Sequence, residues 1–321
     1  MDTKVSRPRL GRGLKDWRHA LTRLEGAYAD GTLRAYRADM EVFESWCSRA
    51  KRAAIPACPE TLAAFVAQQS ELVAPSTLKR RVAAIRKIHR LMKLENPATD
   101  EEVLIAMRRA LRKRPTRPRQ ALGLTSSFRN RLIAACPDSL LGKRDRALIA
   151  LGYDTLCRRA ELVALQVEDI VGSDNQTAQI LIRRSKSDPY GHGRLGYVSP
   201  DTRQLLNVWL RAAKIEEGFI FRTVRRGSVG RQPLHPSSIN RILKRNAAAA
   251  KLHPRDIEAI SGHSMRVGAA QDMIVSGLSI LPIMQAGGWK SVNVVNRYVE
   301  NANLTPLLER ARAGVQMIAK K

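Results

Sequence analysis

Three segments of the chain gather side chains of unusual chemical character: Thr155-Leu156-Cys157-Arg158-Arg159-Ala160-Glu161-Leu162, then Gly262-His263-Ser264-Met265-Arg266-Val267-Gly268-Ala269-Ala270, then Gln285-Ala286-Gly287-Gly288-Trp289 followed nine residues on by Tyr298. Arg158 and Arg266 are permanently charged planar forks, able to grip the non-bridging oxygens of one phosphate and to offset charge that grows there. Tyr298 is a candidate nucleophile. Its reference pKa near 10 requires a base or a strongly cationic setting for attack at neutral pH. His263 is the obvious proton acceptor or phosphate donor, and Trp289 offers one indole N–H, which donates and does nothing else. Taken singly, each has a plainer reading: Arg158 beside Glu161 as a structural ion pair, Trp289 as core packing, Tyr298 and His263 as ordinary surface residues. Their joint order and spacing make the plainer reading untenable.

The rest of the chain must position these groups and bring a polyanion to them. Among 321 residues, 56 Lys and Arg face 29 Asp and Glu, a net charge of +27, which is the footprint of a nucleic-acid binder. A membrane surface is the weaker alternative, because neither a concentrated basic amphipathic helix nor a lipidation signal is found. No apolar run is long enough to span a bilayer, and residues 1–14 lack the apolar stretch of a signal peptide. A soluble, intracellular protein is expected. Cys47, Cys58, Cys136 and Cys157 are scattered without metal-ligand spacing, so free buried thiols and no bound metal are expected, and no cofactor is implied.

Length predicts two domains. The boundary falls at Arg112-Lys113-Arg114-Pro115-Thr116-Arg117-Pro118-Arg119, where two prolines break helical periodicity and nothing apolar is left for a core. This gives a helical domain at 1–111, a basic linker at 112–120 and a second domain at 121–321. Arg117 and Arg119 in the linker are expected to lie along phosphates. In the first domain, Leu33, Tyr36, Met40, Phe43 and Trp46 recur at helical steps and mark a buried face over 32–47, with Arg34 and Arg37 outside the stripe. A second helix, with Ser76 as N-cap, buries Leu78, Val82, Ile85 and Met92 and turns Lys79, Arg80, Arg86, Lys87 and Arg90 outward. That outer face carries no interspersed glutamate, so it is assigned to DNA; His89 lies on the apolar side as a core histidine.

In the second domain, 144–165 reads as one helix. Residues 177–184 and 193–199 read as strands bracketing a Gly- and Pro-containing turn, a hairpin with Lys186 in its loop. Helical patterns follow to the end, where Thr305-Pro306 opens a last amphipathic helix bearing Leu307, Leu308, Ala311, Val315 and Ile318. The fold class is mainly α, with an all-helical N-terminal domain and a mostly helical C-terminal domain containing a small antiparallel sheet.

Together these motifs resemble the tyrosine recombinase family over nearly the whole chain, most specifically in its second half. That family uses an arginine in a T-x-x-R-x-x-E-L segment, a hairpin lysine, an H-x-x-R pair, a His or Trp, and a tyrosine nine residues beyond. The resemblance implies Arg158, Lys186, His263, Arg266, Trp289 and Tyr298 as catalytic residues, with Glu161 orienting its neighbours. Lys186 would protonate the departing 5′ oxygen. The phosphotyrosine bond would conserve the energy of the cut phosphodiester, so religation needs no ATP, and no P-loop is present. Also implied are a C-shaped clamp on double-stranded DNA at specific sites and a homotetramer on two sites that passes through a Holliday junction. The C-terminal helix would pack on a neighbour, and the setting would be the cytoplasm or nucleoid of a bacterium, phage or plasmid host. Only a short basic tail precedes the first helix, which favours a two-domain member over integrases with an extra arm-binding domain.

Departures are modest. Arg159 stands at a position usually apolar, Leu156 replaces a common glycine and Ala160 a frequent serine; Arg159 is not expected to be essential. Two rivals stay open. A type IB topoisomerase would share the phosphate chemistry but yield relaxed DNA without recombinant junctions. A non-catalytic DNA-binding protein would bind and form no covalent adduct.

Overall fold

The computed structural model describes residues 16–113, 120–172, 178–183, 193–305 and 307–309. The chain divides into two compact units, 1–118 and 119–321.

The first unit consists of α1 (Trp17–Thr22), α2 (Asp30–Arg49), α3 (Pro59–Leu72), α4 (Pro75–Leu91) and α5 (Glu101–Lys113). The apolar stripe of α2 turns Met40, Phe43 and Trp46 into a core completed by Phe65 of α3 and Leu78, Ile85 and Ile88 of α4. Phe43 and Phe65 meet edge to face at 4.9 Å, and Trp46 closes on Phe65 at 5.3 Å. Each fully buried aromatic of this kind contributes about 1.5–3 kcal/mol through removal from water. Helix α4 starts at Pro75, with Ala74 as N-cap and Ser76 already inside the first turn. The expectation of Ser76 as cap misses this because proline, lacking an N–H and fixed in φ, starts the helix itself. Arg112 and Lys113, read from sequence as linker, close α5, where their charge suits the C-terminal end of the helix dipole as Glu101 and Glu102 suit its start.

His89 is wholly buried in α4. Its Nδ1 lies 2.8 Å from the Ile85 carbonyl and its Nε2 accepts from the Ala57 N–H at 3.0 Å, which defines the neutral tautomer protonated on Nδ1.

The second unit opens with α6 (Ser126–Ala134) and α7 (Leu140–Asp154), followed by α8 (Arg159–Ala164). Next come β1 (Ile170–Val171), β2 (Ala178–Ile182) and β3 (Arg194–Val198), an antiparallel sheet in that order. Ile180 sits opposite Gly196 and Ile182 opposite Arg194. Ala178, Ile180 and Ile182 face the core in strict alternation. Helix α9 (Pro200–Ala213) packs on α7, and β4 (Arg222–Arg225) pairs with β5 (Ser228–Pro233). Both central residues of that turn, Arg226 and Gly227, have positive φ, as a two-residue type I′ hairpin requires. The unit then continues through α10 (Ser238–Ala249), α11 (Pro254–Ala259), α12 (Ser264–Val275), α13 (Ile280–Gly287) and α14 (Val292–Val299).

The single helix expected over 144–165 is two helices broken at Thr155–Arg158. Leu156 adopts a left-handed φ of 50° at the break, and the carbonyls freed there are taken up by arginine side chains. Both flanks are apolar-periodic, so the pattern alone does not register the interruption. Gly268 lets α12 lie directly on the backbone at Leu124, whose N–H donates to the Ser264 carbonyl at 2.8 Å; a Cβ there would collide with the Leu124 carbonyl group. Cys47, Cys136 and Cys157 are buried, and burial pushes their thiols up to about 11, 12 and 11. Cys58 departs from the expectation: it is exposed at the N-cap of α3. The last amphipathic helix falls largely outside the described residues.

Burial lowers the pKa of His89 below its usual 6.5. The unfolded chain therefore takes the proton first, and the stabilisation is complete above about pH 6.5 and lost as pH falls through the folded value. Thermal melts at pH 7.5 and 5.0 should show the first unit losing more stability in the native chain than in His89→Asn. Equal losses would show that His89 titrates normally.

Candidate active site

Arg158 is the N-cap of α8. Its backbone N–H donates to Glu161 Oε2 at 3.0 Å and its Nη1 to Glu161 Oε1 at 2.7 Å. A carboxylate three residues into the helix thus holds both the cap and the guanidinium, a capping box with an ion pair added. The arrangement fixes the fork at the mouth of the helix, where the side chain keeps 20% exposure while Glu161 is buried.

Arg266, on α12, is fully buried. One Nη donates to the Gly287 carbonyl at 2.6 Å and the other to the Leu156 carbonyl. Its guanidinium carbon lies 4.0 Å from the Trp289 ring centroid and 5.5 Å from that of Tyr298. The two rings themselves meet at 4.8 Å. Burial, and then the nearby Arg158, lower the Arg266 pKa from its usual value; the position disfavours an isolated cation and would welcome an anion.

The turn that carries Trp289 is built by glycines. Gly288 takes the left-handed φ of 62° that ends α13, and any Cβ at Gly287 would occupy the space of the indole. Trp289 is 6% exposed, and its Nε1 has no partner among the described residues, so one donor at the site stands unused. Tyr298 is half-buried on α14, and its backbone carbonyl accepts from Gln120 Nε2 at 2.9 Å.

His263 is the N-cap residue of α12, exposed at the rim. Partial desolvation of its ring, then the charges of Arg266, Arg159 and Arg158, lower its pKa below 6.5. The imidazole is therefore neutral at pH 7 and able to take a proton. Arg159, exposed on α8, runs its stem against the segment before His263: a Cβ on Gly262 would lie 3.2 Å from Arg159 Cδ.

The structure thus gathers Arg158, Glu161, His263, Arg266, Trp289 and Tyr298. Lys186 lies outside the described residues, as do Arg117 and Arg119. Arg194 was missed by sequence reasoning. It reaches from β3 to donate to Thr155 O at 2.9 Å and Ala286 O at 2.6 Å, and lies 3.7 Å from Glu161. Its only sequence signal is its place at the foot of the hairpin. Among the described residues no cluster of His, Cys, Asp or Glu could hold a metal, and no helix is long and apolar enough to cross a membrane.

On the first unit, Arg34 and Arg37 are exposed on α2, as are Lys79, Arg86 and Arg90 on α4. Two members of the expected basic face have partners within the unit. Arg80 forms a two-pronged pair with buried Asp39 at 2.7 and 2.9 Å, and Lys87 donates to Tyr28 Oη at 2.8 Å. Their outward position on the α4 wheel is right; the acidic and phenolic partners come from a distant helix and loop that helical periodicity does not show.

An all-helical unit, a second unit with a small antiparallel sheet, and an arginine packed beneath a tyrosine are the parts of a phosphoryl-transfer site. Residues 123–304 match the phage integrase family and residues 14–96 match the phage integrase N-terminal SAM-like domain. The chain belongs to the phage integrase family, the tyrosine recombinases. It is similar to an integrase/recombinase xerD homolog of Selenomonas ruminantium, 33% identical over 299 residues, 89% of this chain and 86% of the relative. It is also similar to recombinase cre of Escherichia phage P1, 28% identical over 296 residues, 86% of this chain and 85% of the relative. Its fold is shared with the XerH site-specific recombinase bound to palindromic difH substrate in a post-cleavage complex. That likeness has a TM-score of 0.65 at 16% identity and covers 91% of this chain and 82% of the other.

Two outcomes follow from the geometry. Followed by NMR, the His263 ring should titrate with a midpoint below 6.5, and Arg159→Leu, by removing one positive charge, should move that midpoint upward; an unmoved midpoint would remove Arg159 from the site's electrostatics. Gly287→Ala should destabilise the second unit by about 1–3 kcal/mol through overpacking against Trp289, read as a lowered unfolding temperature with the first unit's transition unchanged.

Proposed function

We propose that the chain is a site-specific recombinase that cuts and rejoins double-stranded DNA through Tyr298, at sites on which four protomers assemble. The observation that carries this reading is the Arg266 guanidinium beneath the Trp289 and Tyr298 rings, 4.0 and 5.5 Å from their centroids. A buried fork beside a phenol, with a second fork fixed by Glu161, is what in-line attack on a phosphodiester needs.

In the proposed reaction, Tyr298 Oη attacks phosphorus as its proton passes to His263. Arg158 and Arg266 bind the non-bridging oxygens, with the free Trp289 Nε1–H as a third donor. The bond from phosphorus to the 5′ oxygen breaks, and Lys186 supplies the proton for the leaving hydroxyl. The product is a 3′-phosphotyrosine and a free 5′-hydroxyl, and attack by a 5′-hydroxyl from a partner duplex reverses the chemistry without an outside energy source. Exchange between two duplexes breaks four strands, and one Tyr298 per chain then calls for a homotetramer, with strands exchanged in pairs through a Holliday junction. The amphipathic segment after Thr305 is assigned to docking on a neighbouring protomer.

In this reading the two domains, joined by the basic segment between α5 and residue 121, both contact duplex DNA. Arg34, Arg37, Lys79, Arg86 and Arg90, with Arg117 and Arg119, would contact phosphates, while Arg80 and Lys87 would bring charge already shared with Asp39 and Tyr28. The protein would act in the cytoplasm, on the nucleoid or on a phage or plasmid.

The test is incubation with a supercoiled library of DNA flanking the coding region, followed by denaturing gels and junction sequencing. Covalent adducts and exchanged junctions should form with the native chain and vanish in Tyr298→Phe. Adducts with relaxation but no junctions would mean a type IB topoisomerase, and binding without adducts would mean a DNA-binding protein without catalysis.

A further inference from the structure

Two arginines bridge the same pair of turns. Arg266 donates to Leu156 O and, at 2.6 Å, to Gly287 O. Arg194 donates to the carbonyl just before each of these, Thr155 O at 2.9 Å and Ala286 O at 2.6 Å. The first turn introduces Arg158 and the second introduces Trp289. The two guanidiniums are therefore parallel ties between the elements that present one phosphate-binding arginine and the indole donor.

The ties differ in what else they can do. Arg266 is stacked under Tyr298 and Trp289 and is the residue the proposed reaction requires at the phosphate. Each Nη carries two N–H groups and Nε a further one that has no partner among the described residues, so Arg266 can divide its five donors between the turn carbonyls and a phosphate. Arg194 comes from β3, has 13% exposure and lies 3.7 Å from Glu161. Its stem is wedged against Gly288, where a Cβ would come within 3.0 Å of Arg194 Cδ. Its Nε has no partner among the described residues. With one Nη on each turn, it is anchored by the sheet on one side and by the glycine turn on the other.

We propose that Arg194 is a positioning residue that keeps the Thr155–Leu156 and Ala286–Gly287 turns together while Arg266 shares its donors between their carbonyls and the scissile phosphate. The duplication then has a reason: one tie is drawn on by the reaction and the other is not. Without Arg194, the pull of the phosphate on Arg266 lets the Arg158 and Trp289 turns shift apart, and the phosphate meets a misplaced clamp. This rests on the reading of Arg158 and Arg266 as the phosphate clamp.

Two measurements test it. In the DNA-free protein, hydrogen exchange followed by mass spectrometry should show the amides of 155–158 and 286–289 exchanging faster in Arg194→Met than in the native chain. Arg194→Lys should fall between, and the first unit should be unchanged; protection equal to native in Arg194→Met would overturn the proposal. The second measurement is single-turnover cleavage of two duplexes of the site recovered above, one with an ordinary scissile phosphate and one with a neutral methylphosphonate, which needs far less cationic neutralisation. Arg194→Met should slow the phosphate duplex by about 10- to 100-fold, the scale of an ångström-size misplacement. It should change the methylphosphonate rate and the DNA Kd by no more than about threefold. Equal slowing of both duplexes would mean general structural damage and would sink the positioning role. Arg158→Ala on the same two duplexes is the control: if it slows both alike, the clamp reading itself fails, and the exchange experiment still decides whether Arg194 ties the turns.

Discussion

A guanidinium buried beneath two aromatic rings, with backbone carbonyls as its hydrogen-bond partners, is the constraint around which the second unit is arranged. Such a cation is poorly solvated, and its position can be held only if several elements supply acceptors at once. Arg266 draws these from the break after α7 and from the end of α13. The break therefore exists for a reason outside local propensity: α7 has to stop at Asp154 so that the Thr155 and Leu156 carbonyls point into the site. The glycine pair at 287 and 288 answers the same demand from the other side, since one admits the indole and the other ends the helix.

The charge balance at the site is equally telling. Among the described residues, Arg158, Arg194 and Arg266 stand about the carboxylate of Glu161. Cations are thus gathered where attack of a phenolate on a diester would build up negative charge. Electrostatic preorganisation of this kind does its work at the transition state because the cations are placed before DNA arrives. His263 is held neutral first by desolvation of its ring and then by Arg266, Arg159 and Arg158.

Much of this was legible in the amino-acid order. Arg158, Glu161, His263, Arg266, Trp289 and Tyr298 sit in motifs whose spacing carries the chemistry, and the α2 and α4 stripes named their buried faces. What stayed hidden depended on partners far away in sequence. Arg194 reads as one more charge at a strand edge until Thr155 and Ala286 are brought to it. Arg80 reads as a free cation until Asp39, 41 residues earlier, is folded against it. The helix break at Thr155–Arg158 lies between two apolar-periodic stretches, and the cap of α4 turned on proline taking precedence over serine. Periodicity reports which face is buried; it does not report what a polar group on the other face will meet.

The account depends most on Arg266 binding the scissile phosphate. The direct measurement is the crystal structure of Tyr298→Phe on a duplex bearing its recombination site. The expected result is Arg266 guanidinium nitrogens within about 3 Å of the non-bridging oxygens of the scissile phosphate, with Arg194 still on Thr155 O and Ala286 O. Finding the scissile phosphate bound away from Arg266 would contradict it.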